Sequence, residues 1–190
     1  MVKVVIIGGG WSGCAAAIAA IKAGGKVTLL ERTDMLLGTG LVGGIMRNNG
    51  RFTAAEEMIA LGGGDLFQIC DRNARHKNVN FPGHNHAILY DIVKTHGDVL
   101  RYLTQLGVEI VFRARVKEVN MENRTILAVK DEAGRIFPGD VFIDATGTAG
   151  PQINCSKYGN GCAMCILRCP SFGGRVSIAS LAGVKESVAK

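Results

Sequence analysis

The chain has 190 residues, with 22 Lys and Arg against 16 Asp and Glu and a formal net charge of +6. Apolar residues make up 47% and charged residues 20%, which excludes wholesale disorder because such a chain can bury a core. The 26 glycines follow no three-residue repeat, which excludes collagen. This length accommodates one domain, or one domain and part of another.

The first predicted elements form a strand–helix–strand unit. Lys3 to Ile7 is a β-branched run typical of a buried strand, Ser12 to Lys22 is an Ala-rich helix, and Lys26 to Glu31 is a second strand. The uncharged run from Val4 to Ile21 resembles a membrane helix in hydropathy, but three glycines at its centre favour strand, turn and helix. We therefore expect a soluble, cytoplasmic protein without membrane contact.

The middle of the chain is predicted to be a Gly-rich loop over residues 32–51, followed mainly by helices. The helices are expected over residues 53–61, 65–75 and 87–106, with turn composition over residues 78–86. Short strands joined by tight turns are expected over residues 108–114, 116–121, 124–130 and 135–137. Asp140 to Ala145 returns to a buried, parallel-type strand, and from Thr146 onward the composition shifts to Gly, Cys, Ser and Lys.

The pattern Gly8-x-Gly10-x-x-Gly13 follows the first strand and opens the first helix. Gly8 permits the sharp turn, Gly10 lets the backbone approach a pyrophosphate, and Gly13 lets the helix pack closely on the strand. The helix N-terminus, with Trp11 and Ser12, offers free N–H groups and a partial positive charge to the phosphates. The pattern therefore predicts a dinucleotide site.

An acidic residue stands where such a site needs one. Glu31 ends the second strand, eighteen residues after Gly13, and its carboxylate can accept both ribose hydroxyls. A carboxylate there repels a 2′-phosphate, which disfavours an NADP-type site. A turn that serves only packing is the alternative, and these features alone do not separate NAD from FAD.

Two separated motifs carry a resemblance to a known superfamily. The segments VVIIGGGWSG and VFIDATG, the pair Glu31-Arg32 and the strands inserted after a helix resemble the two-dinucleotide-binding-domain flavoproteins. The resemblance implies an α/β fold in which residues 1–150 form a Rossmann-like FAD-binding domain with a parallel sheet and inserted antiparallel strands. Residues 151–190 are then a Cys-rich, basic segment, the start of a missing or partner-supplied region.

The same resemblance implies roles for residues outside the glycine turn. The segment Ala145-Thr146-Gly147 would close the domain next to the cofactor. The strand pair around Val116 would supply a backbone contact to the adenine.

A narrower resemblance follows from LLGTGLVGGIMRNNG and EEMIALGGG, which are similar to the FAD-dependent oxidoreductases that include the glucose-inhibited division protein A family, modifiers of tRNA uridines. In that group a glycine pair near the flavin follows the acid; here Leu37 takes the first position and Gly38 the second. A flat flavin ring needs backbone N–H donors at close range, and side chains would block access to those donors. The N–H groups of Gly38, Thr39 and Gly40 are candidates for this role. A surface loop is the alternative. The tRNA-modifying members carry a Cys in this loop, and this chain has none.

Four cysteines fall within fifteen residues near the end of the chain: Cys155, Cys162, Cys165 and Cys169. The spacing of the last three cysteines matches the end of the ferredoxin pattern, but the spacing between the first two is longer than in that pattern. A four-thiolate iron–sulphur or zinc site is one interpretation. A redox dithiol at Cys165 and Cys169 that passes electrons beside the flavin is another, and thiols that merely pack are a third.

Three functions are consistent with these features. The first is an FAD-dependent oxidoreductase that transfers electrons or hydride to a small molecule or electron carrier, with NAD(P)H as a candidate reductant. The second is a flavin-dependent tRNA-modifying enzyme, since residues 151–190 hold five basic residues and one acid and could attract RNA; a solvated tail is the alternative. The third is a non-catalytic FAD-binding fragment.

The third function arises from the length of the chain. Relatives run to about twice this length, and they return late with a segment that caps the flavin ring. We find no such segment here. We therefore expect a missing second half, or a homodimer that completes the site.

Overall fold

The computed structural model describes residues 1–38, 40–41, 46–47, 54–82, 84–147 and 176–185. The strands are β1 (Lys3–Ile7), β2 (Lys26–Leu30), β3 (Met46–Arg47), β4 (Ala74–Phe81), β5 (His84–Tyr90), β6 (Glu109–Val111), β7 (Val116–Glu122), β8 (Thr125–Asp131), β9 (Ile136–Pro138) and β10 (Val141–Asp144). The helices are α1 (Trp11–Lys22), α2 (Ala54–Ala60), α3 (Asp65–Arg72), α4 (Ile92–Gln105) and α5 (Ile178–Leu181).

A four-stranded parallel sheet lies at the centre, in the order β10–β1–β2–β6. Ile7 pairs with Leu30 on one side and with Asp144 on the other, so three strands end at one edge. The chain leaves β1 toward β2 and β6 and returns on the opposite side as β10. This reversal of strand order is the place where open α/β sheets bind ligands.

Alternate residues of β1 enter two different cores, because successive side chains of a strand point to opposite faces. Val4 and Ile6 pack with helices α1, α3 and α4. Val5 and Ile7 pack with β7, β8 and Ile178 of α5. The parallel sheet therefore lies between a helical layer and an antiparallel sheet of order β7–β8–β9. This arrangement confirms the predicted fold class.

A third sheet, β3–β5–β4, corrects several predictions. The turn expected over residues 78–86 lies within the β4–β5 hairpin, the helix expected over residues 65–75 ends at Arg72, and the helix expected from residue 87 begins only at Ile92. Asp91 starts that helix by accepting a hydrogen bond from the Lys94 N–H at 3.0 Å. A further difference is that β6 joins the parallel sheet rather than the antiparallel layer.

The described residues contain no helix that is long and apolar enough to cross a membrane.

Candidate dinucleotide-binding site

A pocket of about 310 Å³ opens at the edge where β1, β2 and β10 end. It falls in the size range of sites for small molecules and cofactors. Its lining comes from the glycine turn, the ends of these strands and the start of the antiparallel layer: Ile7, Gly8, Gly10, Trp11, Ser12, Leu30, Glu31, Arg32, Gly38, Ala114, Arg115, Val116, Ala145, Thr146, Gly147 and Val176.

The three glycines of the turn have different surroundings. Gly8 has φ +106° and lies so close to Ala145 that a Cβ would collide with the Ala145 carbonyl oxygen. Gly13 is buried, and a Cβ there would collide with the Gly8 carbonyl oxygen. A Cβ at Gly10 would meet no atom within 4 Å, because Gly10 borders the pocket. Two glycines are thus required by packing, and the third leaves room for a ligand.

The N-terminus of α1 faces the pocket without a cap from a side chain. Gly10 is the N-cap residue, no side chain bonds to it, and the first turn holds no acidic residue. The Cys14 N–H makes the first helical bond, to the Gly10 carbonyl at 2.9 Å. The N–H groups of this turn and the helix dipole therefore favour an anion such as a pyrophosphate.

Glu31 is 6% exposed and is held by the backbone on both sides. Its Oε2 accepts a hydrogen bond from the Gly9 N–H at 2.8 Å. Its Oε1 accepts one from the Thr33 N–H at 2.8 Å and one from the Thr33 hydroxyl at 2.9 Å. A carboxylate has about four acceptor positions, so Oε2 keeps one. Oε1 keeps another when the Thr33 hydroxyl donates instead to the Met35 carbonyl, also at 2.9 Å. Glu31 can therefore accept a ribose hydroxyl through Oε2, and the acceptance of both ribose hydroxyls stays a prediction.

The loop after Glu31 returns to the glycine turn. Leu37 donates its N–H to the Gly9 carbonyl at 2.8 Å and is fully buried at φ +74°. Leucine thus adopts, at the first position of the expected glycine pair, a left-handed conformation that costs a residue with a Cβ about 1–2 kcal/mol. Gly38 lines the pocket, Gly40 does not, and Thr39 lies outside the described residues.

The opposite wall follows β10. Asp144 Oδ1 accepts hydrogen bonds from the Thr146 N–H at 3.1 Å and the Thr146 hydroxyl at 2.6 Å. Burial raises the pKa of Asp144, but hydrogen bonds from Ser177, Thr146 and Ala179 outweigh burial and bring that pKa below its ordinary value. The carboxylate is therefore ionised at neutral pH and fixes the turn that carries Thr146.

Two guanidinium groups also border the pocket, at Arg32 and Arg115. Burial lowers the pKa of Arg32 from its usual value, and the charge of Glu31 opposes that shift. Arg115 lies 3.3 Å from Glu132.

Sequence reasoning missed five lining residues: Ile7, Leu30, Ala114, Arg115 and Val176. Ile7, Leu30 and Arg115 each adjoin a residue that it named, and Ala114 lies two positions from Val116, so sequence position near the named residues could have found them. Nothing in the sequence around Val176 indicates a place in the site. Gly13, which the sequence placed at the cofactor, lies behind the turn and not on the pocket surface.

The cysteine predictions fall in two parts of the chain. Cys155, Cys162, Cys165 and Cys169 all lie outside the described residues. Within the residues that the structure describes, no group of three or more His, Cys, Asp or Glu is placed to hold a metal ion. Burial raises the pKa of the Cys14 thiol to about 12, so this thiol is protonated at neutral pH and packs as a small apolar group.

The parallel sheet, its strand-order reversal and the glycine turn define a dinucleotide-binding domain of the Rossmann type. The family model described as "Glucose inhibited division protein A" matches residues 3–190. The chain belongs to that family, as the sequence resemblance predicted. No curated protein matches this chain in sequence.

Three solved structures with the same fold each superpose on most of this chain. GidA of Aquifex aeolicus superposes with a TM-score of 0.59 at 18% identity, over 74% of this chain and 24% of that protein. PqsL, a probable FAD-dependent monooxygenase from Pseudomonas aeruginosa, gives 0.54 at 19% identity, over 85% and 46%. FqzB gives 0.57 at 18% identity, over 84% and 39%.

The chain spans about a quarter to a half of the length of these proteins. At such identities the likeness shows the fold, and together with family membership it supports a flavoprotein. The boundary near residue 150 stays a prediction. Residues 176–185, beyond that boundary, nonetheless contribute Ile178 to the core around Val5 and Ile7.

Proposed function

We propose that this chain binds FAD in the pocket described above and forms the cofactor-binding part of a flavin-dependent oxidoreductase. The observation that carries the proposal is the convergence, in one pocket, of the uncapped helix N-terminus, the Gly10 backbone and the Glu31 carboxylate. A pyrophosphate needs the first two, and a ribose hydroxyl needs the third. When bound, FAD supplies electron or hydride transfer.

The chain's own residues would bind and orient this cofactor. The first-turn N–H groups of α1 would donate to the pyrophosphate. Glu31 would accept one ribose hydroxyl through Oε2, and the backbone near Val116 would face the adenine. The mainly apolar walls at Ile7, Leu30 and Val176 would exclude water. NAD(P)H is the candidate reductant.

The test begins with FAD binding by the purified chain, measured by visible absorption and by titration of added FAD. Gly10→Ala is the decisive variant, because Gly10 has φ −70°, which alanine readily adopts, and its Cβ would point into open pocket. We expect this variant to fold normally and to bind FAD at least tenfold more weakly.

The matched control is Gly97→Ala in α4, where a Cβ would also meet nothing within 4 Å but lies outside the pocket lining. This variant should keep wild-type affinity and gain slight helix stability. A wild-type chain that takes up no FAD, or equal affinity in Gly10→Ala and wild type, would overturn the proposal.

The family match supports a second candidate, a flavin-dependent tRNA-modifying enzyme. The basic charge of residues 151–190 is compatible with it, and the absence of a Cys between Cys14 and Cys70 argues against the chemistry of those enzymes. Salt-sensitive binding of a tRNA to the FAD-loaded chain would favour this candidate. The same preparation tests the other proposals: iron and sulphide analysis for the cysteine cluster, and mass measurement for a homodimer or a separate second half.

A further inference from the structure

Asp144, the last residue of β10, joins two segments that are distant in the sequence. Its Oδ1 holds Thr146 through the N–H and hydroxyl bonds given above. Its Oδ2 accepts hydrogen bonds from the Ser177 hydroxyl at 2.6 Å and from the Ala179 N–H at 3.2 Å. Ser177 stands 33 positions further along the chain. A single carboxylate therefore connects the end of β10, an edge strand of the parallel sheet, to a remote segment.

Both connected segments supply a wall of the pocket. Thr146 lines it directly, and Val176, next to Ser177, lines it from the remote segment. Ser177 is 6% exposed and Ile178 is 3% exposed, and Ile178 packs into the core below the parallel sheet. The remote segment is thus held by apolar contact through Ile178 and by Asp144 at the pocket rim.

We propose that Asp144 is a positioning residue for the bound cofactor, and that its carboxylate sets the relative placement of the pocket walls at Thr146 and Val176. The proposal rests on the proposed function, because the placement of the two walls is measured through the affinity of the chain for FAD. Asp144 need not touch the cofactor to act in this way.

An amide of the same shape cannot replace the carboxylate. Each carboxylate oxygen accepts one backbone N–H, from Thr146 on one side and from Ala179 on the other. In Asp144→Asn the amide NH₂ must face one of these N–H groups, since it has no lone pair to offer. The hydroxyls of Thr146 and Ser177 can rotate, but the backbone donors cannot. One wall therefore loses its backbone hydrogen bond to residue 144 whichever way the amide turns.

The experiment measures FAD affinity of the full chain at a temperature where each variant is folded by circular dichroism. We expect Asp144→Asn to bind FAD about tenfold more weakly, because hydrogen bonds to a charged acceptor are about twice as strong as neutral ones. Ser177→Ala removes the hydroxyl bond to Asp144 and the N-cap bond that this hydroxyl accepts from the Ser180 N–H at 3.2 Å, but it leaves the Ala179 bond to Asp144 in place. It should weaken FAD binding about threefold. Both variants should change the visible circular dichroism of the bound flavin, which a mere loss of global stability does not.

The matched control is Asp140→Asn, at the other end of the same strand. The Asp140 carboxylate also accepts a backbone N–H, from Lys3 at 2.7 Å, but Asp140 is not part of the pocket lining. This variant should keep the wild-type FAD affinity and flavin spectrum.

The outcomes separate the two proposals. A wild-type chain that binds no FAD overturns the proposed function before any variant is made. A wild-type chain that binds FAD, with Asp144→Asn binding equally well, overturns the positioning role even if the variant melts at a lower temperature. If Asp144→Asn fails to fold, Ser177→Ala decides: unchanged affinity and spectrum in that variant overturn the role, and the predicted changes support it.

Discussion

Two carboxylates flank β1 at the pocket edge, and they use their acceptor positions differently. Glu31, after β2, holds the neighbouring Gly9 turn and Thr33 and keeps one acceptor position on Oε2. Asp144, on β10, accepts hydrogen bonds from Thr146 nearby and from Ser177 and Ala179, which stand 33 or more positions away. Under the two proposals above, the same chemical group serves ligand recognition on one side of β1 and placement of the pocket walls on the other.

We expect the largest effect at Gly8, which follows β1 and lies between the Glu31 side and the Asp144 side of the pocket. Its N–H donates to the Leu30 carbonyl at 2.8 Å, while a Cβ would collide with the Ala145 carbonyl and lie 3.1 Å from the Thr146 Cα. We expect Gly8→Ala to lower the free energy of unfolding by about 3 kcal/mol or more and to abolish FAD retention, as measured by urea denaturation and absorption.

The control for this prediction is Gly24→Ala. Gly24 also has a positive φ, +84°, but a Cβ there would meet nothing within 4 Å. The Gly24→Ala variant should lose about 1–2 kcal/mol of unfolding free energy, which is the cost of the left-handed backbone conformation without any steric collision. Equal losses of unfolding free energy in Gly8→Ala and Gly24→Ala would show that the contact between the end of β1 and the segment after Asp144 does not contribute to stability.

A smaller effect is expected on the Glu31 side. Glu31→Gln places an NH₂ against the N–H of either Gly9 or Thr33, because each carboxylate oxygen accepts one of them. We expect a loss of about 2 kcal/mol in unfolding free energy and about tenfold in FAD affinity. Glu109→Gln, an exposed acid on β6 whose partner is the Thr28 hydroxyl at 3.0 Å, should change stability by less than about 0.5 kcal/mol. Similar effects in both variants would refute a special role for Glu31.

The pH dependence of stability tests the Asp144 side. Since the native pKa of Asp144 is lowered, its stabilisation is present above the unfolded value of about 3.9 and is lost as pH falls through the native value. Thermal melts between about pH 5 and pH 2 should therefore show a shallower decline in Asp144→Asn than in wild type. Parallel declines would mean that the Asp144 network contributes no acid sensitivity.

The smallest effect is expected for Thr33→Val. The Thr33 hydroxyl lies 2.9 Å from Glu31 Oε1 and 2.9 Å from the Met35 carbonyl, and its removal should cost about 1 kcal/mol or less. Glu31 keeps both backbone donors, so FAD affinity should stay within about twofold of wild type. If Thr33→Val weakened FAD binding as much as Ser177→Ala does, the proposed difference between the roles of Glu31 and Asp144 would be wrong.

The Glu31 side could be predicted from the sequence because its interactions are local. The bounds of β1 match the prediction, α1 and β2 differ from it by one residue, and Gly8, Gly10 and Glu31 reach one pocket. β-branched strands, a glycine turn and an acid at fixed spacing encode this unit within about thirty residues.

The rest depends on contacts that no short segment encodes. β4 reads ARHKNVNF and contains Asn78 at φ +55°; pairing with β5 across register shifts, rather than strand propensity, sustains it. Val176 lines the pocket next to Ser177, which bonds to Asp144 from 33 positions along the chain, so no motif spacing could reveal this contact.

Trp11 gives the molecule an optical reporter of its own. It is the chain's single tryptophan, it lines the pocket, and its ring lies 5.4 Å from that of Phe67 between centroids. All indole emission therefore originates beside this pocket, where a bound flavin would take up the excitation energy. Binding to this pocket can be followed, in wild type and in every variant above that retains Trp11, by the light that the unlabelled protein emits.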